Sequence, residues 1–259
     1  MRCTVLILVL LMTAGVAGAV DVTENTNALK KLTDAQAAAL ANGRPGTLWL
    51  NGLTSLTDAQ AAVLARHRGN LFLNGLTTLS DAQAEALATH EDELPEHLKT
   101  RHNAEKLAKK RGTLRLAGLA ALSDRQAESL ARHKGILFLD GLTTLSDAQA
   151  NSLAKHENQL FLDGLTSLTD AQAEALATHS EWLSLDGLTT LSDAQAEAFG
   201  THRDGLSLNG LTSLTDAQAE ALAKHEDWLS LYGLTTLTDN AAAALRANPQ
   251  ISLSDKFKR

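Results

Sequence analysis

Histidine is the residue that first suggests chemistry in this chain. Seven of its nine histidines recur at one spacing: His67, His90, His133, His156, His179, His202 and His225 are 23 residues apart, save one step of 43. Imidazole is a common zinc ligand, so a histidine ladder invites a metal-binding reading. Zinc, however, needs three or four ligands converging on one point at ~2 Å. One histidine per repeat makes a line. The spacing therefore favours a structural role at the C-terminal end of a helix, where imidazole bonds free carbonyls and a protonated ring suits the dipole. An aspartate ladder runs in step: Asp58, Asp81, Asp124, Asp147, Asp170, Asp193, Asp216 and Asp239. Negative charge in the first turn of a helix accounts for it. There is no G-x-S-x-G, no H-E-x-x-H and no phosphate loop. Each Asp–His combination recurs once per repeat, whereas a catalytic site would break the symmetry in one place. The expectation is a protein without catalytic residues, metal or cofactor.

The elements that must position these ladders are read from the repeat. Full units begin at Leu48, Leu71, Leu114, Leu137, Leu160, Leu183, Leu206 and Leu229, and the step is 23 except for the 43 from Leu71 to Leu114. Counted from that leucine, positions 1 and 3 are always leucine, which predicts a short strand with one apolar face. Position 5 is always glycine, from Gly52 to Gly233, as expected where the backbone turns tightly or takes a left-handed conformation. Position 10 is Ser or Thr and position 13 is Gln in all but the last unit, so Thr57-Asp58-Ala59-Gln60 and its copies form capping boxes. Alanine at 14 and a large apolar residue at 17 make the inward stripe of a short helix. So short a helix is marginal alone and must be stabilised by its neighbours. A 46-residue super-period is also present, with GLTSLT units alternating with GLTTLS/T units over much of the array.

The unit L-x-L-x-G-L-x-x-L-[ST]-D-x-x-A-x-x-L-A resembles the leucine-rich repeat, most of all its cysteine-containing variant. The resemblance covers about residues 30 to 254. It implies an α/β solenoid: a right-handed coil with a parallel sheet on the concave face and short helices on the convex face. It also implies binding of other macromolecules. Two features depart from that pattern. The usual buried Asn or Cys position is leucine here, as at Leu53, Leu76 and Leu119, and the unit is short. The loop hydrogen-bond network must therefore be supplied in another way.

Residues 1–19 read as a secretory signal peptide: a basic start, the apolar run Val5–Met12 and a cleavage site after Ala17-Gly18-Ala19. The rest divides into an N-terminal helical cap (20–47), the repeats (48–250, with a degenerate unit at 94–113) and a terminal strand with a basic tail (251–259). That degenerate unit carries Pro95, Glu96, His97, His102 and the run Lys109-Lys110-Arg111. Its expected state is a decayed, solvated repeat, with docking of an acidic partner as the other use. Net charge is −7 in 259 residues, which argues against a nucleic-acid partner. The one cysteine, Cys3, precedes the cleavage site. The expected location is secreted, periplasmic or cell-surface, as a monomer without a membrane span.

Aromatic residues are few and placed on one face. Strand alternation puts positions 2 and 4, and the residue before position 1, opposite the core. These places hold Trp49, Phe72, Phe138, Phe161, Trp182, Trp228 and Tyr232, with Arg115 interrupting the row and Asp140 and Asp163 as polar neighbours. Exposed contiguous aromatics mark a contact surface. Position 2 turns to serine at Ser184, Ser207 and Ser230, and away from the core it is free to vary. The expected function is a non-enzymatic scaffold that binds a protein, peptide or glycan through this face, mainly in its N-terminal half. The alternative is a structural coat element without a specific ligand.

Overall fold

The computed structural model describes residues 26–43, 45–90 and 112–257. The predicted signal peptide and the basic run at 109–111 lie outside them. Among the described residues, nine strands form one open parallel sheet in strict sequence order. They are β1 (Gly46–Trp49), β2 (Gly69–Phe72), β3 (Leu114–Arg115), β4 (Leu137–Phe138), β5 (Leu160–Phe161), β6 (Leu183–Ser184), β7 (Leu206–Ser207), β8 (Leu229–Leu231) and β9 (Ile251–Leu253). Helices alternate with them: α1 (Asp34–Ala41), α2 (Asp58–Leu64), α3 (Asp81–Ala88), α4 (Asp124–Leu130), α5 (Asp147–Leu153), α6 (Asp170–Ala177), α7 (Asp193–Gly200), α8 (Asp216–Leu222) and α9 (Asp239–Arg246). The molecule is an α/β solenoid, as the repeat predicts. No helix among the described residues is long and apolar enough to cross a membrane.

Like pairs with like at every rung. Leu137 stands opposite Leu160, and Leu160 opposite Leu183. The leucines of positions 1, 3 and 6 are buried from Leu48 to Leu234 and meet the helix alanines and Leu64, Leu87 and Leu130 in one continuous core. Phe199 takes the helix leucine position in α7, where Gly200 follows it, and both are buried. Gly200 lies where a Cβ would come 2.3 Å from the Ala221 carbonyl, so the larger ring and the smaller neighbour pack as a unit.

Across the step of 43 residues, β2 pairs directly with β3, Leu71 opposite Leu114, and α3 packs directly on α4. The unit expected at 94–113 lies outside the described residues except for Gly112 and Thr113; Gly112 has a φ of 73°.

Glycine at position 5 also has a different reason. Among the described residues only Gly46, Gly69 and Gly112 have positive φ. At Gly164 a Cβ would stand 2.2 Å from the Asp140 carbonyl oxygen and 2.5 Å from that of Leu142. Close approach of one rung's backbone to the next, not an unusual φ, excludes a side chain there.

Three side-chain ladders tie the rungs together. Each capping-box glutamine accepts the N-cap N–H through Oε1 and donates through Nε2 to the preceding rung: Gln83 to the Leu56 carbonyl at 2.9 Å, Gln149 to Leu122 at 2.8 Å, Gln218 to Leu191 at 3.0 Å. The aspartates accept from the N-cap hydroxyl of the following rung, as Asp58 does from Ser80 at 2.7 Å and Asp170 from Ser192 at 2.6 Å.

The histidines form the third ladder. Their rings are buried and stack from His90 to His225 with centroids 5.9 to 6.4 Å apart. Nδ1 of His156 donates to the Ala131 carbonyl at 3.2 Å, and His202 does the same to Ala177. Both acceptors lie at the C-terminal end of the preceding helix, so the carbonyl-bonding role is as predicted. The protonated ring is not. Burial first, then the charge of neighbouring rings, lowers His133 to about 3 and His156 to about 4. Burial lowers His179 and His202 as well. These four rings are neutral at pH 7.

Candidate functional site

The sheet face opposite the leucine core carries the residues that the repeat leaves free to differ. Because side chains alternate along a strand, residues 0, 2 and 4 of each rung share this face. Successive strands present Trp49 and Asn51, Phe72 and Asn74, Arg115 and Ala117, Phe138 and Asp140, and Phe161 and Asp163. Then follow Trp182, Ser184 and Asp186; Gly205, Ser207 and Asn209; and Trp228, Ser230 and Tyr232.

In the N-terminal half the position-2 side chains pack as a row. Trp49 meets Phe72 edge-on at 4.4 Å, and Phe138 stacks on Phe161 at 4.1 Å with 11° between planes. The Arg115 guanidinium lies over the Phe138 ring, 4.7 Å from its centroid, and bonds Asp140 Oδ2 at 3.1 Å. Burial, then the neighbouring Asp163 carboxylate, push the Asp140 carboxyl up, while Arg115 draws it back. Asp140 Oδ1 is buried without a hydrogen-bond partner. The phenylalanines are half-buried; Trp49 and Tyr232 are exposed, at 48% and 49%.

The C-terminal half solves the same surface differently. Trp182 and Trp228, two rungs apart, stack at 5.0 Å across the intervening rung. Gly205 makes this fit: a Cβ there would stand 2.4 Å from the Trp182 ring. The 46-residue super-period of the sequence is thus a packing period at this place. Ser184, Ser207 and Ser230 are buried, at 3%, 4% and 0%. Their hydroxyls donate to Asp163 at 2.6 Å, Asp186 at 2.6 Å and Asn209 at 2.7 Å. Position 2 is therefore not free of structural demand in these rungs, and the change from Phe to Ser has a folding reason. The sequence signal was available: each serine follows a rung that has Asp or Asn at position 4.

Position 4 is a ladder in its own right. Asn51 Oδ1 accepts the Asn74 N–H at 3.1 Å, Asp163 that of Asp186 at 3.0 Å, Asp186 that of Asn209 at 2.8 Å, and Asn209 that of Tyr232 at 2.9 Å. Asp163, expected as a free polar neighbour of the aromatics, is thus also a bonded rung.

The structure brings Trp49 with Phe72, Arg115 with Phe138, Asp140 and Phe161, and Trp182 with Trp228. Tyr232 stands on the rung of Trp228, at the opposite end of the sheet from Trp49. Among the described residues, no three His, Cys, Asp or Glu side chains stand close enough to hold a metal ion. Fold and ladders define a repeat solenoid of the α/β type. Comparison with models of known protein families and with curated protein sequences gave no match.

Proposed function

We propose that this protein is an exported, non-enzymatic scaffold of leucine-rich-repeat type, which binds a protein, peptide or glycan through the outer face of its sheet. The observation that carries this reading is the row from Trp49 to Phe161. Its side chains lie away from the leucine core, and Trp49 at one end is half exposed. A few such aromatic and arginine anchors dominate most binding surfaces.

The ends of the ladder favour this reading over a coat element that polymerises end to end. At the C-terminal end Asn248 takes the histidine's place and donates to the Ala223 and His225 carbonyls at 3.0 and 2.7 Å. Phe257 then covers the core. At the N-terminal end the Thr26 hydroxyl donates to the Trp49 carbonyl, and Asn27 accepts the Asn51 N–H. Both ends carry caps of the kind that keep a solenoid monomeric.

The test is capture from surface extracts and on a glycan panel, repeated with Trp49→Ala and Phe161→Ala. Loss of the same ligand with either variant supports the reading. A ligand held equally by parent and both variants places binding elsewhere. Concentration-dependent growth of linear oligomers in sedimentation would instead favour the coat element.

A further inference from the structure

The position-4 ladder asks each rung for one acceptor oxygen. Asn209 supplies it with an amide, accepting both the Ser230 hydroxyl and the Tyr232 N–H. Asp163 and Asp186 do the same work with carboxylates, accepting the Ser184 hydroxyl with the Asp186 N–H, and the Ser207 hydroxyl with the Asn209 N–H. The bonds from serine hydroxyl and backbone are alike in kind and length. Asp186 Oδ2 accepts one more, from Asn209 Nδ2 at 3.2 Å, whereas Asp163 makes only the two bonds that Asn209 makes with an amide. At Asp163 folding therefore needs the oxygen and not the negative charge.

The charge is also costly. Asp140, Asp163 and Asp186 stand just past the ends of consecutive strands, which lie ~4.8 Å apart, and like charges on neighbouring rungs repel. Arg115 answers Asp140, but neither Asp163 nor Asp186 forms an ion pair among the described residues. A local cost that folding does not require points to use by a partner.

The molecule itself shows how such a cation sits. Arg115 lies across the Phe138 ring and bonds the carboxylate two residues further along the same rung, Asp140. The next rung repeats the ring and the carboxylate as Phe161 and Asp163, and the rung after it carries only the short Ser184 between Trp182 and Asp186. We propose that the Phe161–Asp163–Asp186 part of the outer face takes an arginine or lysine side chain of a peptide or protein partner, laid beside the Phe161 ring and paired with the two carboxylates. This deepens the outer-face binding reading and rests on it. Guanidinium and ammonium groups suit a ring edge or face next to carboxylate. A neutral sugar is less well served, because it leaves the two carboxylates without a counter-charge.

The test uses the purified protein and short synthetic peptides that alternate leucine with arginine, with lysine or with glutamate. Titration calorimetry at low salt is run on the parent, on Asp163→Asn/Asp186→Asn, and on Asp147→Asn/Asp170→Asn, which makes the same charge change at the helix ends. The expected result is binding of the arginine and lysine peptides to the parent and to the helix-end variant. The Asp163→Asn/Asp186→Asn variant should bind about tenfold more weakly or worse, with its melting temperature unchanged. Equal binding by all three proteins overturns the proposal. So does a melting temperature that falls markedly in Asp163→Asn/Asp186→Asn, since the charge would then belong to the fold. Heat from calcium alone that this variant loses assigns the carboxylates to a metal and overturns it too. If no cationic peptide binds while a glycan or an acidic peptide is held and then lost with Trp49→Ala, the cation site fails and the outer-face reading stands.

Discussion

Replacing Phe161 by serine copies the protein's own β6 to β8 rungs, and the structure says where the new hydroxyl goes. In those rungs each serine donates to the position-4 oxygen of the rung before it. For residue 161 that oxygen is Asp140 Oδ1, buried and without a partner. The loss is half of a phenylalanine's burial, ~1–1.5 kcal/mol, plus a ring–ring contact worth about 1 kcal/mol. The gain is a hydrogen bond to a carboxylate, ~1.5–3 kcal/mol. The net cost of Phe161→Ser is therefore within about 1 kcal/mol of zero. Phe138→Ser loses the same burial and the same ring contact, together with the Arg115 cation over the ring, worth ~0.5–1 kcal/mol. Its hydroxyl gains nothing, because the preceding rung has Ala117 at position 4. Phe138→Ser should cost roughly 3 kcal/mol, so the two variants differ by about 3 kcal/mol. Urea unfolding at pH 7 measures both. Equal losses, or a larger loss for Phe161→Ser, would refute the ladder argument. Adding Asp140→Ala to Phe161→Ser should abolish the difference.

Other expectations follow from the same bonds. His133 and His156 titrate near 3 and 4 in the fold but at 6.5 when unfolded, so their contribution is full above pH 6.5 and is lost as pH falls toward 4 and 3. At pH 5 the two together cost roughly 4 kcal/mol of stability; a urea midpoint unchanged between pH 7 and pH 5 would contradict this. Gly164→Ala should destabilise by several kcal/mol because its Cβ meets the Asp140 carbonyl, and a thermal melt within a degree or two of the parent would remove close approach as the reason. Gln149→Glu keeps the acceptor for the Ser146 N–H but loses the donor to Leu122; it should cost ~1–3 kcal/mol, far more than expected if the glutamine only capped its helix.

Much of this architecture is legible in the sequence because every rung states it again. Leucines at positions 1, 3 and 6 fix the core, and Ser/Thr with Gln three residues on fixes each helix start. The parts that escaped were those that one rung decides for its neighbour. Position-5 glycine looks the same whether it is needed for φ or for close approach, and only the Asp140 carbonyl above Gly164 tells which. The serines of β6 to β8 look like free surface until their acceptors one rung back are known. A step of 43 residues does not say which rungs pair across it, and the pairing of Leu71 with Leu114 does. The histidines read as helix-end residues, but the neutral state of His133, His156, His179 and His202 follows from burial by rungs on both sides. On the outer face, composition identified the aromatics, while their pairing into edges and stacks needed the register.

The indole pair sets a rule for how this array can grow. Trp182 and Trp228 meet over Gly205, and nothing larger than hydrogen fits beneath them. A single extra 23-residue rung copied from either tryptophan unit would set two indoles on adjacent strands and leave no glycine between them. Copying the glycine unit alone would part the indoles by a further strand. A copy of two consecutive rungs restores the alternation. In this stretch the protein can lengthen or shorten only in steps of two rungs, so natural or engineered length variants should differ here by 46 residues, and odd-numbered variants should lose the indole stack over Gly205.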